Sequence, residues 1–144
     1  MATASSELLI KAEAARVASR VLRTLPSETK ASGLYAIASA LETNAKGLLE
    51  ANAKDMASSV DAGLSASMKA RLELTPATLE QMVKSVRVIA DLPDPVGEVL
   101  EERTLPNGIK LARRRVPLGV IGAIIESRPE VTVDISALCV ISGN

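Results

Sequence analysis

The stretch Leu118-Gly119-Val120-Ile121-Gly122-Ala123-Ile124-Ile125 constrains this chain most, because it is apolar on both faces of an extended backbone. A strand with one face in water alternates apolar and polar residues. A strand apolar throughout belongs in a parallel sheet with helices covering both sides. Glu126-Ser127-Arg128-Pro129 then turns the chain into a predicted helix from Pro129 to Ser142, with Val131, Ile135, Leu138 and Ile141 apolar and Gly143 closing it. Strand, turn and helix make half of a βαβ unit, and a parallel strand needs a neighbour. The sequence stops at Asn144, where that neighbour is expected to begin. The expected class is therefore α/β, with Val120 to Ile125 as a buried strand.

The first ninety or so residues read differently. Ser5 and Ser6 can cap a first helix, with Leu8, Ala12, Ala15, Ala18 and Leu22 on one face. Pro26 interrupts it, and Ser27 is a plausible cap for a second helix carrying Ala31, Leu34, Ala38 and Leu41. Leu48, Leu49 and Met56 continue the pattern after a break near Asn44, and Gly63 terminates it. Thr75-Pro76 is a cap followed by proline in the first turn, opening a helix with the stripe Leu79, Met82, Val83, Val86 and Ile89. Pro93 and Pro95 end the helical half. Val96–Thr104 and Ile109–Val116 then flank Leu105-Pro106-Asn107-Gly108, a hairpin signal in which Asn-Gly supplies the positive-φ turn.

Composition narrows the function classes. With no Phe, no Trp and a single tyrosine, Tyr35, the core has to be built from Leu, Ile, Val, Ala and Met. Seventeen basic and seventeen acidic residues cancel, which argues against a nucleic acid or an anionic membrane held by bulk charge. The longest apolar stretches are interrupted well short of the ~20 residues of a membrane span, and Leu8-Leu9-Ile10 is too short for a signal peptide. A single cysteine, Cys139, excludes an internal disulfide framework and fits a reducing cytoplasm. The absence of histidine removes Ser-His-Asp and Cys-His catalysis and the usual His-containing zinc sites.

The strongest candidate for chemistry is Glu126-Ser127-Arg128, since turns after the carboxyl ends of parallel strands are where open α/β sheets bind ligands. A carboxylate, a hydroxyl and a guanidinium emerging together can hold a polar substrate or a phosphate. Equally, Glu126 and Ser127 can serve as helix caps with Arg128 solvated. Cys139 falls mid-helix between Leu138 and Val140 and reads as a small buried hydrophobe rather than a nucleophile. Gly119-Val120-Ile121-Gly122 has the wrong spacing for either phosphate-loop type. Arg113, Arg114 and Arg115 read as a solvated strand face, and Glu98, Glu101 and Glu102 as a solvated arm.

Several stretches occur together in a telling order: Glu50-Ala51-Asn52-Ala53-Lys54-Asp55, Gly63-Leu64-Ser65 with Arg71-Leu72, Leu74-Thr75-Pro76, and Leu92-Pro93-Asp94-Pro95-Val96-Gly97. Arg114-Arg115-Val116-Pro117-Leu118-Gly119-Val120-Ile121-Gly122, Glu126-Ser127-Arg128-Pro129 and Ser142-Gly143-Asn144 follow. In these the chain resembles the N-terminal portion of γ-glutamyl phosphate reductase (glutamate-5-semialdehyde dehydrogenase), the second enzyme of proline synthesis and a member of the aldehyde dehydrogenase superfamily. Ile125 departs from the aromatic residue usual there, Glu130 from a bacterial asparagine, and Ile141 from a frequent lysine.

The resemblance implies a fold and an activity. Residues 1–95 would be the helical part of a nucleotide-binding domain, 96–116 a hairpin arm for oligomerisation, and 117–144 the first strand and helix of a Rossmann-like sheet. The implied reaction is NADP-dependent. A cysteine thiolate displaces phosphate from γ-glutamyl phosphate, hydride from NADPH reduces the thioester, and glutamate 5-semialdehyde leaves. Ile125, Glu126, Ser127, Arg128 and Pro129 would border the cofactor and substrate cleft. No catalytic residue falls in this segment by resemblance, because the nucleophilic cysteine lies in a later segment, and without His or a Cys pair no metal site is expected. The resemblance implies a homo-oligomeric, cytoplasmic enzyme, and the family's length marks this chain as a piece of it, inactive alone. The open edges of the Val120 to Ile125 strand are expected to draw it into self-association. The rival readings are a non-catalytic self-associating helical module, and a small-molecule binding domain using the Glu126–Arg128 turn without chemistry.

Overall fold

A computed structural model describes the backbone of residues 4–144, and the side chains of all of these except 4–6 and 61. The elements run α1 (Ala4–Leu22), α2 (Ser27–Thr43), α3 (Ala45–Asp61), α4 (Ala66–Leu72), α5 (Pro76–Ala90), β1 (Val99–Thr104), β2 (Lys110–Arg114) and α6 (Pro129–Ile141). The class is α/β and mostly helical. Ser5 and Ser6 lie inside α1 rather than ahead of it, and their side chains fall outside the described residues. At α5 the expected start is found: Thr75 Oγ1 accepts the Thr78 amide at 3.1 Å, and Pro76 occupies the first turn.

The core is the meeting of α2, α5 and α6. Leu34 and Ala38 of α2, Val83, Val86, Ile89 and Ala90 of α5, and Ala137 and Ile141 of α6 are all buried. The predicted α5 stripe from Leu79 to Ile89 is buried throughout. In a chain without large rings, Ala38, Ala90 and Ala137 let the helices approach closely, and burying each Leu or Val stabilises by about 1.5–3 kcal/mol. By contrast α1 stays outside, with Leu8, Leu9 and Ile10 more than 60% exposed.

Two polar devices hold the connectors. The buried Asn52 on α3 donates from Nδ2 to Leu72 O and accepts the Leu74 amide on Oδ1, both at 2.8 Å, fixing the α4–α5 link. The second was not foreseen. Lys30 on α2 is fully buried, paired with Asp94, and donates to Ile141 O at 3.3 Å. Asp94 also accepts the Ser27 hydroxyl and the Val96 amide, each at 2.9 Å. Ser27 is thus the first residue of α2, not its cap, and spends its hydroxyl on Asp94. Burial pushes the Asp94 carboxyl up, but the Lys30 ammonium, the Val96 amide and the Ser27 hydroxyl outweigh it and hold it below the ordinary 3.8.

The hairpin forms as predicted, with Glu102 opposite Ala112, Arg103 opposite Leu111 and an irregularity between Val99 and Glu101. Its turn differs from the expectation. Among the described residues only Gly108 of the Asn107-Gly108 pair has positive φ, at 86°, and its amide donates to Leu105 O at 2.9 Å. This is a proline-led turn closed by a glycine bulge, a three-residue loop type, instead of the doubly left-handed Asn-Gly turn. Every residue of both strands is exposed.

The buried parallel strand is absent among the described residues. Val120 to Ile125 has no ladder partner among the described residues, Leu118 is 89% exposed and Ile124 is fully exposed. A parallel strand draws its hydrogen bonds from a neighbour, and the sheet described is the β1–β2 pair alone, so apolar patterning without a partner yields extended chain. The Rossmann-like sheet is likewise not formed within the described residues. In the 144-residue chain, amides of Val120 to Ile125 are expected to exchange hydrogen nearly as fast as at the chain ends, while Val83 to Ile89 exchange slowly. Comparable protection in both segments, measured by mass spectrometry, would contradict this.

Candidate functional site

The turn singled out from sequence is a strained one. Ser127 is the sole non-glycine residue with positive φ among those described, at 48°, in the left-handed region that disfavours a side chain by about 1 kcal/mol or more. That kink delivers Arg128 to the N-cap position of α6, with Pro129 in the first turn. No side chain caps the helix, so neither Glu126 nor Ser127 takes the capping role. The Val131 amide donates to Arg128 O at 3.2 Å. Glu126 and Arg128 are exposed, while Ile125, Ser127 and Pro129 are half-buried.

The five predicted residues therefore sit together at one helix start, joined by Glu130 of the first turn. Arg128 and the uncapped amides of that turn favour an anion, whereas Glu126 and Glu130 oppose one. No side chain from another element joins them by hydrogen bond or ion pair among the described residues. The turn can hold a polar group but carries no nucleophile. Cys139 lies further along the same helix, half-buried, its carbonyl accepting the Asn144 amide at 2.8 Å.

The helix end is tied to the segment before the turn. Asn144 Oδ1 accepts the Gly119 amide at 2.9 Å, and Gly143, at φ 74°, stands where an added Cβ would meet Pro117 at 3.0 Å and Val96 at 3.3 Å. Arg113 and Arg115 are solvated as expected and pair across the hairpin with Glu101 at 4.0 Å and Glu98 at 2.7 Å. Sequence reading missed Lys30 and Asp94. The signal was present, because Lys30 stands four residues before Leu34 and eight before Ala38, on the stripe that is otherwise apolar.

Among the described residues no cluster of three or more His, Cys, Asp or Glu is placed to hold a metal ion, and no helix is long and apolar enough to cross a membrane. No protein-family model matches the sequence. Relatives do. The γ-glutamyl phosphate reductase of Geobacillus sp. is 48% identical over 139 residues, covering 96% of this chain and 34% of its own. That of Deinococcus radiodurans is 50% identical over 132 residues, 92% of this chain and 31% of its own. The crystal structure of the Thermotoga maritima γ-glutamyl phosphate reductase superposes with a TM-score of 0.91 at 40% identity, over 96% of this chain and 33% of that one. The Saccharomyces cerevisiae enzyme gives 0.89 at 38% identity, over 99% and 35%. The chain spans about a third of the length of the relatives it matches. In sequence and in fold it is homologous to the N-terminal portion of γ-glutamyl phosphate reductases.

Proposed function

We propose that this chain serves in the NADP-dependent reduction of γ-glutamyl phosphate to glutamate 5-semialdehyde, as the part of a cytoplasmic, homo-oligomeric reductase that carries the Glu126–Pro129 turn. The observation behind this is the near-complete coverage of the chain by γ-glutamyl phosphate reductases at about 50% identity. The hairpin, exposed on both faces, fits an arm that finishes its packing on another subunit.

The turn fits a phosphate-bearing cofactor in one respect: Arg128 and the uncapped α6 amides offer positive potential at a helix start. Bound NADPH supplies the hydride. In this reading Arg128 orients an anionic group, Ser127 fixes the kink that aims it, and Glu126 hydrogen-bonds a hydroxyl or amine of the ligand. Covalent catalysis needs a thiolate meeting the hydride donor at one carbon, and half-buried Cys139 within α6 is not that thiolate.

The test grafts residues 1–144 in place of the matching third of the Thermotoga maritima enzyme and follows NADP reduction with semialdehyde and phosphate. Turnover is expected from the graft and not from the 144 residues alone, and Arg128→Ala in the graft lowers kcat/KM by about tenfold, the loss of one charge-assisted hydrogen bond. Turnover by the 144 residues that disappears in Cys139→Ser would overturn the reading.

A further inference from the structure

A second basic feature lies at the root of the hairpin and shares no residue with the Glu126–Pro129 turn. Between the α1–α2 connector and the hairpin base is a recess of about 430 Å³ lined by Arg23, Thr24, Gly97, Arg114, Arg115 and Pro117, among others. Three arginines line one space. Arg115 is engaged by Glu98 at 2.7 Å, while Arg23 and Arg114 have no ion-pair partner among the described residues. The other nearby carboxylate, Asp94, is turned inward and neutralised by Lys30. No acidic residue is among the described residues lining the recess, which leaves Arg23 and Arg114 in excess.

Its floor is closely packed. Gly143 lacks a Cβ, and an ideal one would stand 3.0 Å from Pro117, 3.3 Å from Val96 and 3.4 Å from the Arg23 backbone, three residues that also line the recess. A guanidinium presents a planar fork that matches phosphate oxygens, and two such forks suit a tetrahedral dianion.

We infer that the Arg23–Arg114–Arg115 recess is a binding site for a phosphate group, either free or on a small phosphate monoester. Arg113, next to Arg114 in β2, supplies the control, because it lines a separate recess with Glu101, Arg103 and Leu111.

The experiment titrates inorganic phosphate, then glycerol phosphate, into the chain at constant ionic strength held with sodium chloride, reading arginine side-chain NMR shifts. Saturable shifts are expected at Arg23 and Arg114. Arg23→Ala and Arg114→Ala are each expected to weaken binding about tenfold, and Arg113→Ala to leave it within twofold. Tighter binding of the monoester than of phosphate identifies an esterified ligand, and equal binding a free one. Equal losses in Arg113→Ala and Arg114→Ala, or shifts that chloride reproduces, would overturn the site in favour of diffuse charge. These readouts need no turnover, so they stand apart from the fate of the reductase reading.

Discussion

Lys30→Ala is expected to destabilise the chain by about 3–5 kcal/mol, a large part of the roughly 5–15 kcal/mol that holds a domain of this size. The reason is the partner left behind. Asp94 is 9% exposed at its side chain, and without Lys30 its charge has only the Ser27 hydroxyl and the Val96 amide against it. Ile141 O at the end of α6 loses its donor too. The urea midpoint should fall with little change in slope, because the surface exposed on unfolding is nearly the same. Lys30→Met combined with Asp94→Asn should recover more than half of the loss, since it removes both charges and keeps the oxygen that receives Val96. A single Lys30→Ala loss below about 1 kcal/mol would refute the buried pair as a structural element.

Acid provides an independent reading of the same pair. The folded Asp94 carboxyl lies below its ordinary 3.8, so its contribution is fully present above that value and disappears as pH falls through the lowered one. Stability of the parent chain should therefore drop below about pH 4, and the drop should be shallower in Asp94→Asn.

Local chemistry was legible in the sequence wherever a residue acts on its own neighbours. Thr75-Pro76, the Leu79–Ile89 stripe and the Gly63 and Gly143 helix ends all follow from propensity and period within one element. The readings that depended on a partner fared differently. Val120 to Ile125 has the composition of a buried strand, but composition cannot hydrogen-bond a backbone, and the segment is exposed as far as Ile124. Ser27 has the residue type of a cap, yet Asp94, remote in sequence, claims its hydroxyl. At the candidate site the sequence located the turn, and it left open whether Glu126 and Ser127 cap α6. Backbone geometry excludes that, because the left-handed φ of Ser127 puts Arg128 at the cap position instead. The Arg23 recess was invisible for the same reason as Lys30–Asp94: it is assembled from segments about ninety residues apart in sequence.

Gly143→Ala is expected to cost about 2–4 kcal/mol, against about 1 kcal/mol for Gly63→Ala. The two glycines are matched in everything but their surroundings. Each follows the last turn of its helix with left-handed φ, 74° and 66°. Each closes the same pair of bonds, Asn144 to Cys139 O and Gly143 to Val140 O in one case, Leu64 to Ser59 O and Gly63 to Val60 O in the other. Alanine pays the same backbone penalty at both. At Gly63 the new methyl meets open space, whereas at Gly143 it presses on the ring of Pro117 at 3.0 Å and the Val96 side chain at 3.3 Å, and a proline ring has little freedom to move aside. The difference between the two losses therefore isolates crowding from conformation, and equal thermal shifts for the pair would remove crowding from the account. Because Pro117, Val96 and Arg23 also line the phosphate recess, Gly143→Ala at a temperature where it remains folded should also weaken phosphate binding, while Gly63→Ala should leave it unchanged.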